Sequence, residues 1–426
     1  MKPGKIFIAI VLIFLQGYIQ AKPDPEQKIL KNRIFSENIK TIELYQKGWR
    51  MSYPYLRLES NNTLCLDFDD LSEETNTYYY TFIHCDAYWK PSDISETDYL
   101  EGYTENEITD YKNSVNTTVP YTHYHVSFPN ENVRFTLTGN YVILVYKEMD
   151  REKPVLTARF MVYTTGVDID GKVIPPAGPD RAKDQELLIS VDYSGYAVQS
   201  PRDELYVVVR QNGRWDNALF GIQPSREENR KLVYDHVSGL VFHGENEFRN
   251  FDIKSIRYQS QHIDKIEYIA PYYNIRLKPD AMRSTGPYFS DKDLNGKFYI
   301  KNSLGTDPDT DADYLNVYFS LPSNFPFDEE VYITGALTGW NYTKNNRLTY
   351  HMDTHNYEGT LLLKQGYYNY AYAVKSPGQV RGDLTRIEGS HFETENDYTI
   401  LVYHRSSFER YDQLVGIKII NNGTDR

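Results

Sequence analysis

The clearest candidates for chemistry in this sequence are two histidines on a predicted strand, His123 and His125. Residues two apart on a strand point to the same face, so both imidazoles are expected side by side. Imidazole nitrogens bind zinc, and the pair would begin a metal site if a third ligand approached it. Contact with a partner and ordinary packing are the alternatives, and the sequence identifies no third ligand.

Two other groups of residues resemble catalytic arrangements. His84 and Cys85 are adjacent, but neighbours along a strand face opposite sides, which argues against a cysteine–histidine dyad and indicates a buried thiol. The carboxylates Asp67, Asp69 and Asp70 would suit glycoside hydrolysis only with a second carboxylate across a cleft, roughly 5 to 10 Å away. A polar hairpin loop is the simpler interpretation of these three residues.

An alternating acidic run, Asp307, Asp309, Asp311 and Asp313, is spaced like the ligands of a calcium loop. The run lacks the turn glycine and the later glutamate of an EF-hand, so a solvated acidic loop is predicted instead. The sequence also lacks the serine-hydrolase, zinc-protease and P-loop signatures. We therefore expect no catalytic residue, no metal and no cofactor, and we expect that the chain is not an enzyme.

The composition points to sheets and contact surfaces. The formal net charge of −13 disfavours binding to nucleic-acid phosphates or to an anionic membrane surface. The chain contains 39 tyrosines, a residue that favours pleated sheets and is enriched where proteins meet partners. We expect no nucleic acid and no small-molecule substrate among its partners.

The N-terminal residues predict export. Lys2 and Lys5 precede an apolar run at 6–15 and a small residue at Ala21, which is the layout of a signal peptide over residues 1–21. The run is shorter than the roughly 20 residues that span a bilayer, and no later segment is apolar enough to be a stop-transfer helix. The mature chain is therefore expected to be soluble, without direct insertion into the membrane.

Export to an oxidising compartment makes the two cysteines candidates for a disulfide. Cys65 and Cys85 flank a polar loop between two strand-like runs, so a cross-strand bond is sterically conceivable. Two free thiols are the alternative, and the spacing does not decide between them.

Short β-rich runs separated by turn residues predict an all-β fold of tandem immunoglobulin-like sandwiches. One helical segment, 95–113, begins with a capping-box pattern of Ser95 and Asp98. The predicted division is an N-terminal sandwich at 25–165, a linker rich in proline and glycine at 166–184, a middle β domain at 185–290 and a C-terminal immunoglobulin-like domain at 297–420.

Two similar hairpins support a repeated module. The strands NYVILVY at 140–146 and DYTILVY at 397–403 are each followed by a charged turn and another strand. Tyr141 and Tyr398 stand at the starts of these strands, where a tyrosine-corner hydroxyl bonds back to the backbone of a preceding loop. Both tyrosines are predicted to be structural.

The run VYITGALTGW at 331–340, with GYYNY at 366–370, resembles a carbohydrate-binding module of the glycogen-binding type, an early-set sandwich. In that family these residues build the sandwich, whereas sugar binding needs further exposed rings. Trp340 is the candidate sugar platform, and a carbohydrate-binding protein is the alternative function. Fold does not fix function, so the likeness predicts mainly the sandwich.

Taken whole, the mature chain resembles the plug protein of the Bacteroidota type IX secretion system. The resemblance rests on NRIF at 32–35, HCDAYWKPS at 84–92, YTHY at 121–124, SFPN at 127–130, GNY at 139–141, the run at 331–340, GSHF at 389–392 and DY at 397–398. It implies a periplasmic protein at the inner side of the outer membrane, without an active site, that seals the periplasmic mouth of the translocon β-barrel when no cargo is loaded. Cys65 departs from the aliphatic residue expected there, so the resemblance gives the disulfide no support.

Overall fold

The computed structural model describes residues 30–423, and its regular structure is almost entirely β. The predicted signal peptide lies outside the described residues. The helices of the described chain are single turns: α1 (Glu96–Tyr99), α2 (Pro201–Glu204), α3 (Pro308–Asp311) and α4 (Thr385–Glu388), with 3-10 turns at Pro179–Ala182 and Ala336–Thr338. Between residues 30 and 423, no helix has the length and apolar character needed to cross a bilayer.

The first sandwich contains β1 (Arg33–Ile34), β2 (Ile39–Gln46), β3 (Tyr55–Arg57), β4 (Leu64–Asp70), β5 (Tyr78–Cys85), β6 (Leu100–Gly102), β7 (Asn106–Glu107), β8 (Asp110–Asn113), β9 (Thr122–Phe128), β10 (Val133–Phe135), β11 (Gly139–Lys147) and β12 (Pro154–Tyr163). One sheet has the order β1-β12-β11-β5-β7, with β3 parallel to β12, and the facing sheet has the order β2-β4-β9-β8. The short strands β6 and β10 pair beside them.

Alternation along the strands decides which side chains fill this core. Leu64, Leu66 and Phe68 of β4 face inward against the inward residues of β5. Their neighbours Cys65, Asp67 and Asp69 therefore lie on the outer face of the second sheet. This placement leaves a row of polar side chains on a surface that another domain covers.

The predicted helix at 95–113 ends after one turn. Its capping box between Ser95 and Asp98 is present, but Leu100 already has extended backbone angles. Gly102 has a φ of 103°, and a Cβ there would lie 2.1 Å from the carbonyl oxygen of Asn132. The rest of the segment forms β6, β7 and β8, so only the cap and the first turn of the prediction are correct.

The rest of the chain adds β13 (Asp168–Ile174), β14 (Asp184–Asp192), β15 (Leu205–Gln211), β16 (Leu219–Ile222), β17 (Arg226–Glu228), β18 (Lys231–Tyr234), β19 (Val241–His243), β20 (Arg249–Asp252), β21 (Ile263–Ile269), β22 (Tyr272–Leu277), β23 (Phe298–Ile300), β24 (Tyr314–Pro322), β25 (Glu330–Thr334), β26 (Thr349–His351), β27 (Asn356–Lys364), β28 (Gly366–Lys375), β29 (Asp397–His404) and β30 (Gln413–Asn421).

These strands form two more sandwiches. The second combines β13-β14-β18-β17, with β19 beside β14, and the sheet β16-β15-β29-β30. The third combines β21-β22-β24-β27-β26 with a sheet centred on β28, which pairs with β20, β23 and β25. The prediction of tandem β-sandwiches is thereby confirmed.

The strand pairing divides the chain differently from the predicted boundaries. The sequence predicts the closing hairpin, β29 and β30, to lie in the domain at 297–420, but β29 pairs with β15 and completes the second sandwich. Tyr398, Ile400 and Val402 fill the core of that sandwich. The predicted linker contains β13, and the middle domain at 185–290 loses β20, β21 and β22 to the third sandwich. Consecutive strands usually pair, and the late return of one hairpin to an earlier sandwich breaks that tendency.

Candidate functional site

The first sandwich presents two histidine–aspartate pairs on the outer face of its second sheet. His125 lies opposite Asp67 and His123 lies opposite Asp69 in the β4–β9 register. The Nδ1 atoms are 2.5 Å from Asp67 Oδ1 and 2.7 Å from Asp69 Oδ1, respectively. An ionised carboxylate only accepts, so each Nδ1 carries the proton. The predicted common face of the two imidazoles is present.

A third acidic group approaches from the third sandwich. Asp309, in α3, has its Oδ2 atom 4.0 Å from His123 Nε2. Within residues 30–423, ligand atoms of Asp67, His123 and Asp309 all lie within 4.8 Å of one another. This cluster includes His123 but not His125, so it is not the site of two histidines and a third ligand that the sequence suggested.

Arg50 fills the position that a cation would take. Its guanidinium lies 3.1 Å from Glu43, 3.4 Å from Asp67 and 2.7 Å from Asp309. A guanidinium offers five donors and a fixed positive charge, which satisfies converging carboxylates as an ion would. The arrangement fits an ion-pair cluster better than a metal centre.

The electrostatics of the cluster reflect burial and pairing. Burial raises the pKa of Glu43 to about 7, against the opposing effect of Arg50. Burial also disfavours the Asp67 carboxylate, but hydrogen bonds from His125 and Tyr45 outweigh it and lower the pKa of Asp67. The Asp67 hydrogen bond raises the pKa of His125 to about 10, so that imidazole is cationic at neutral pH.

Beside this cluster, Asp69 ties the first sandwich to the third. Lys364 Nζ lies 2.7 Å and the hydroxyl of Tyr314 lies 2.6 Å from Asp69 Oδ2. Nearby, Asp313 accepts hydrogen bonds from the hydroxyl and the backbone N–H of Thr118. We call these contacts, with the Arg50 cluster, the first–third junction.

The second–third junction is built around Arg214, whose side chain is fully buried. Its guanidinium lies 2.8 Å from Glu245 and 2.9 Å from Asp216. The hydroxyl of Tyr342, from the third sandwich, donates to Asp216 at 3.0 Å. Paired in this way, an arginine carries no unpartnered charge into the interior.

The first–second junction is mainly apolar and aromatic. Trp89 meets Trp215 edge to face at a centroid distance of 4.9 Å, and the Arg159 guanidinium lies 4.3 Å from the centre of the Trp89 ring. The hydroxyl of Tyr403 donates to Asn140 Oδ1 at 2.7 Å. Each sandwich is therefore in direct contact with both others.

Comparison with known proteins identifies the family. Residues 39–164 match the family model described as the type 9 secretion system plug protein 1st domain. That range runs from the start of β2 to just after β12 and covers the first sandwich except β1. This chain belongs to the type 9 secretion system plug protein family. For this plug-family protein, no curated protein gives a match.

Among solved structures, the plug-family chain is similar to a hypothetical protein from Parabacteroides merdae, known from a crystal structure. The two share 33% sequence identity with a TM-score of 0.90, over 92% of this chain and 99% of the other. The second solved structure compared, the BSP domain of a biofilm-associated protein, has a TM-score of 0.17 and 9% identity over 91% of this chain and 59% of that one, and it supports no argument.

The suggested disulfide is absent from this plug-family protein. Cys65 and Cys85 are both buried and free. Cys65 contacts Ser127 on the outer face of one sheet, whereas Cys85 packs with Trp89 and Val142 on the outer face of the other. Packed sheets are about 10 Å apart, and outward side chains diverge further, so the sulfurs cannot meet.

The two tyrosines expected at corners behave differently. The hydroxyl of Tyr141 donates to the carbonyl oxygen of Leu137 at 2.8 Å, which is the tyrosine-corner contact. The hydroxyl of Tyr398 instead donates to the side chain of Gln185 and accepts from that of Gln211. Its partners come from the second sandwich because β29 belongs there.

Trp340 is a packing residue in the structure. Its ring meets Phe248 at 5.8 Å, and the Arg214 guanidinium lies 5.4 Å from the ring centre. A Cβ at Gly296 would lie 2.6 Å from the ring, so the glycine gives it room. A half-buried ring in these contacts lacks the open face that a sugar platform needs.

Sequence reasoning missed Arg50, Lys364 and Arg214, which hold the junctions. Lys364 ends an apolar strand and Arg214 follows an Asn-Gly turn, and charged residues at strand ends are usually solvated. Their burial depends on another sandwich covering them. No pattern in the sequence indicates that another sandwich covers these residues.

Proposed function

We propose that this chain is a non-enzymatic plug of the periplasm, which seals the periplasmic opening of the type IX outer-membrane translocon barrel when no cargo is loaded. Membership of the plug family links the chain to type IX secretion. The match of its first sandwich to the plug model is the observation that carries the proposal. The proposal includes the periplasm as the location of the chain and the barrel as its partner.

The three junctions support this function mechanically. Domains in one chain move relative to one another unless their interfaces are extensive and well packed. Here Arg50 and Lys364 join the first sandwich to the third, Arg214 joins the second to the third, and Trp89 with Trp215 joins the first to the second. A triangle of mutual contacts resists hinge motion, which suits a body that must obstruct an opening.

The hydrogen bonds of the buried carboxylates support a non-enzymatic role. Asp69 accepts from His123, Tyr314 and Lys364. Glu388 accepts from Arg249 at 3.0 Å and from Arg283 at 2.8 Å. A catalytic carboxylate needs access to a substrate proton or electrophile, and these groups are committed to structural partners.

Purification of the tagged chain from mild-detergent extracts of outer membranes tests the proposal. The expected companion is a very large β-barrel, identified by mass spectrometry, with a stable interface of at least about 1,200 Å². Cells that lack the chain should also admit a large hydrophilic dye to the periplasm. Recovery of the tagged chain without a large barrel, or unchanged dye exclusion in cells that lack the chain, contradicts the proposal.

A further inference from the structure

Two large apolar side chains project from adjoining loops at one end of the third sandwich. Phe325 is 80% exposed in the loop between β24 and β25, and Met352 is 71% exposed in the turn between β26 and β27. The backbone N–H of Ser323 donates to the carbonyl oxygen of His355 at 3.0 Å, which joins the two loops. We call this pair of loops, 323–329 and 352–355, the distal tip.

The distal tip faces away from the first sandwich. Tyr314, at the start of β24, bonds to Asp69 in the first–third junction, and Pro322, at the other end of β24, leads into the tip. Eight steps of about 3.3 Å separate the two ends by about 26 Å. The tip is therefore remote from that junction and accessible to another molecule.

The loop that carries Phe325 is held in place. Phe327 packs against Tyr357 at a centroid distance of 6.1 Å, and its backbone N–H donates to the Tyr357 hydroxyl at 2.6 Å. The Arg386 guanidinium lies 5.0 Å from the centre of the Phe327 ring. The Ser323 hydroxyl donates to the carbonyl oxygen of Phe325 at 2.7 Å. A side chain displayed by an ordered loop loses little entropy on binding, as interface anchors require.

The charge of the tip indicates what binds there. Glu329 pairs with Arg386 and Glu330 pairs with Arg347. Asp328 and Asp353 are exposed and have no ion pair within residues 30–423. Two uncompensated carboxylates beside an apolar pair favour a basic partner and disfavour an anionic lipid surface.

We infer that the distal tip is a docking element, in which Phe325 and Met352 enter an apolar pocket rimmed by lysine or arginine on the periplasmic side of the translocon barrel. The inference rests on the proposed function and adds the surface that makes the contact. Met352 suits this role because its flexible thioether adapts to an irregular pocket. Asp328 and Asp353 steer the approach and pair with the basic rim.

The test compares two double variants with a matched control. F325S/M352S removes both anchors, D328K/D353K reverses the charge, and F408S removes a similarly exposed ring, 88% exposed, from the β29–β30 loop of the second sandwich. Each full-length chain is immobilised, and retention of the detergent-solubilised barrel, identified by mass spectrometry, is measured. Thermal melting establishes that the variants remain folded.

Loss of both anchors is expected to weaken retention by roughly tenfold or more, the effect of an interface hot spot. Charge reversal is expected to slow association and to reverse its dependence on salt, because lysines then face the basic rim. F408S should retain the barrel like the unmodified chain. Unmodified chain that captures no barrel overturns the proposed function and this inference together. Captured barrel with unchanged retention by F325S/M352S overturns the inference alone.

A vesicle experiment tests whether the distal tip binds lipid instead of the barrel. The unmodified chain should not float with phosphatidylcholine vesicles or with vesicles containing an anionic lipid. Flotation that F325S/M352S abolishes would assign the tip to the membrane and overturn the docking of the barrel there.

Discussion

Lys364 Nζ lies 2.7 Å from Asp69 Oδ2, although the two residues are 295 positions apart and belong to different sandwiches. Each side chain is 1% exposed. A buried pair of this kind is costly to break, because removal of one partner leaves the other charge without compensation. The pair therefore makes the first–third junction sensitive to single substitutions.

Lys364→Met tests this sensitivity. We expect the free energy of unfolding to fall by about 3 to 5 kcal/mol, since Asp69 stays buried without its ammonium partner. Urea unfolding followed by tryptophan fluorescence measures the change. Lys153→Met is the control, because Lys153 and its partner Glu148 are exposed and solvent-exposed ion pairs contribute little to stability. Equal effects of the two substitutions would show that burial of the junction does not matter.

Trp340→Ala separates packing from sugar binding. The ring fills the space beside Phe248 and Gly296, so we expect its removal to lower the free energy of unfolding by about 2 kcal/mol or more. Neither the unmodified chain nor the variant should be retarded in a gel containing glycogen. Retardation of the unmodified chain that the folded variant loses would support the carbohydrate-binding alternative.

His84 makes stability depend on pH. Burial lowers its pKa to about 4, and its neutral ring is held by Ser92 and by the carbonyl oxygen of Thr138. In the unfolded chain the imidazole titrates near its ordinary pKa of about 6.5, so between about pH 6.5 and 4 the unfolded chain binds a proton that the folded chain does not. Lowering the pH through this window should therefore reduce the free energy of unfolding by on the order of 3 kcal/mol.

The measurement is the difference in pH dependence between the unmodified chain and His84→Gln, from urea unfolding at pH 7.5 to 4. The variant should lose this part of the slope even if it is less stable throughout. His351→Gln, which removes an exposed imidazole, should keep the slope. Parallel curves for the unmodified chain and His84→Gln would contradict the assignment.

The two thiols should be free in the purified protein. Cys65 and Cys85 are 2% and 0% exposed, and burial raises the pKa of the Cys85 thiol. We expect little alkylation of the native chain, because both sulfurs are buried and the Cys85 thiolate is also disfavoured. After unfolding without reductant, mass spectrometry should find both cysteines alkylated. A mass two hydrogens lower, without alkylation, would reveal a disulfide.

Short-range patterns in the sequence were sufficient to predict much of the fold. Alternation placed His123 and His125 on one face of β9, and the capping box located the start of α1 at Ser95. The helix did not continue, because Gly102 and the close approach of Asn132 favour a strand pair. Propensity within a segment is thus overruled where a tertiary contact is available.

Longer-range assignments failed for a different reason. The hairpin at 397–421 has the same apolar alternation as a hairpin of any sandwich, and its alternating face does not specify which core it completes. Cys65 and Cys85 likewise sit at a spacing that permits a disulfide, until the opposed outward faces of the two sheets exclude it.

By itself, the sequence determined the all-β class, the acidic surface and the residues that resemble the plug family, because these depend on composition, alternation and short motifs. Only the tertiary structure decided which hairpin completes the second sandwich and that Asp69 meets Lys364. The same holds for Phe325, left exposed at the distal tip while Phe327 is packed. Such outcomes depend on the burial of complementary faces from distant segments. The free energy gained by that burial cannot be read from any short stretch of the sequence.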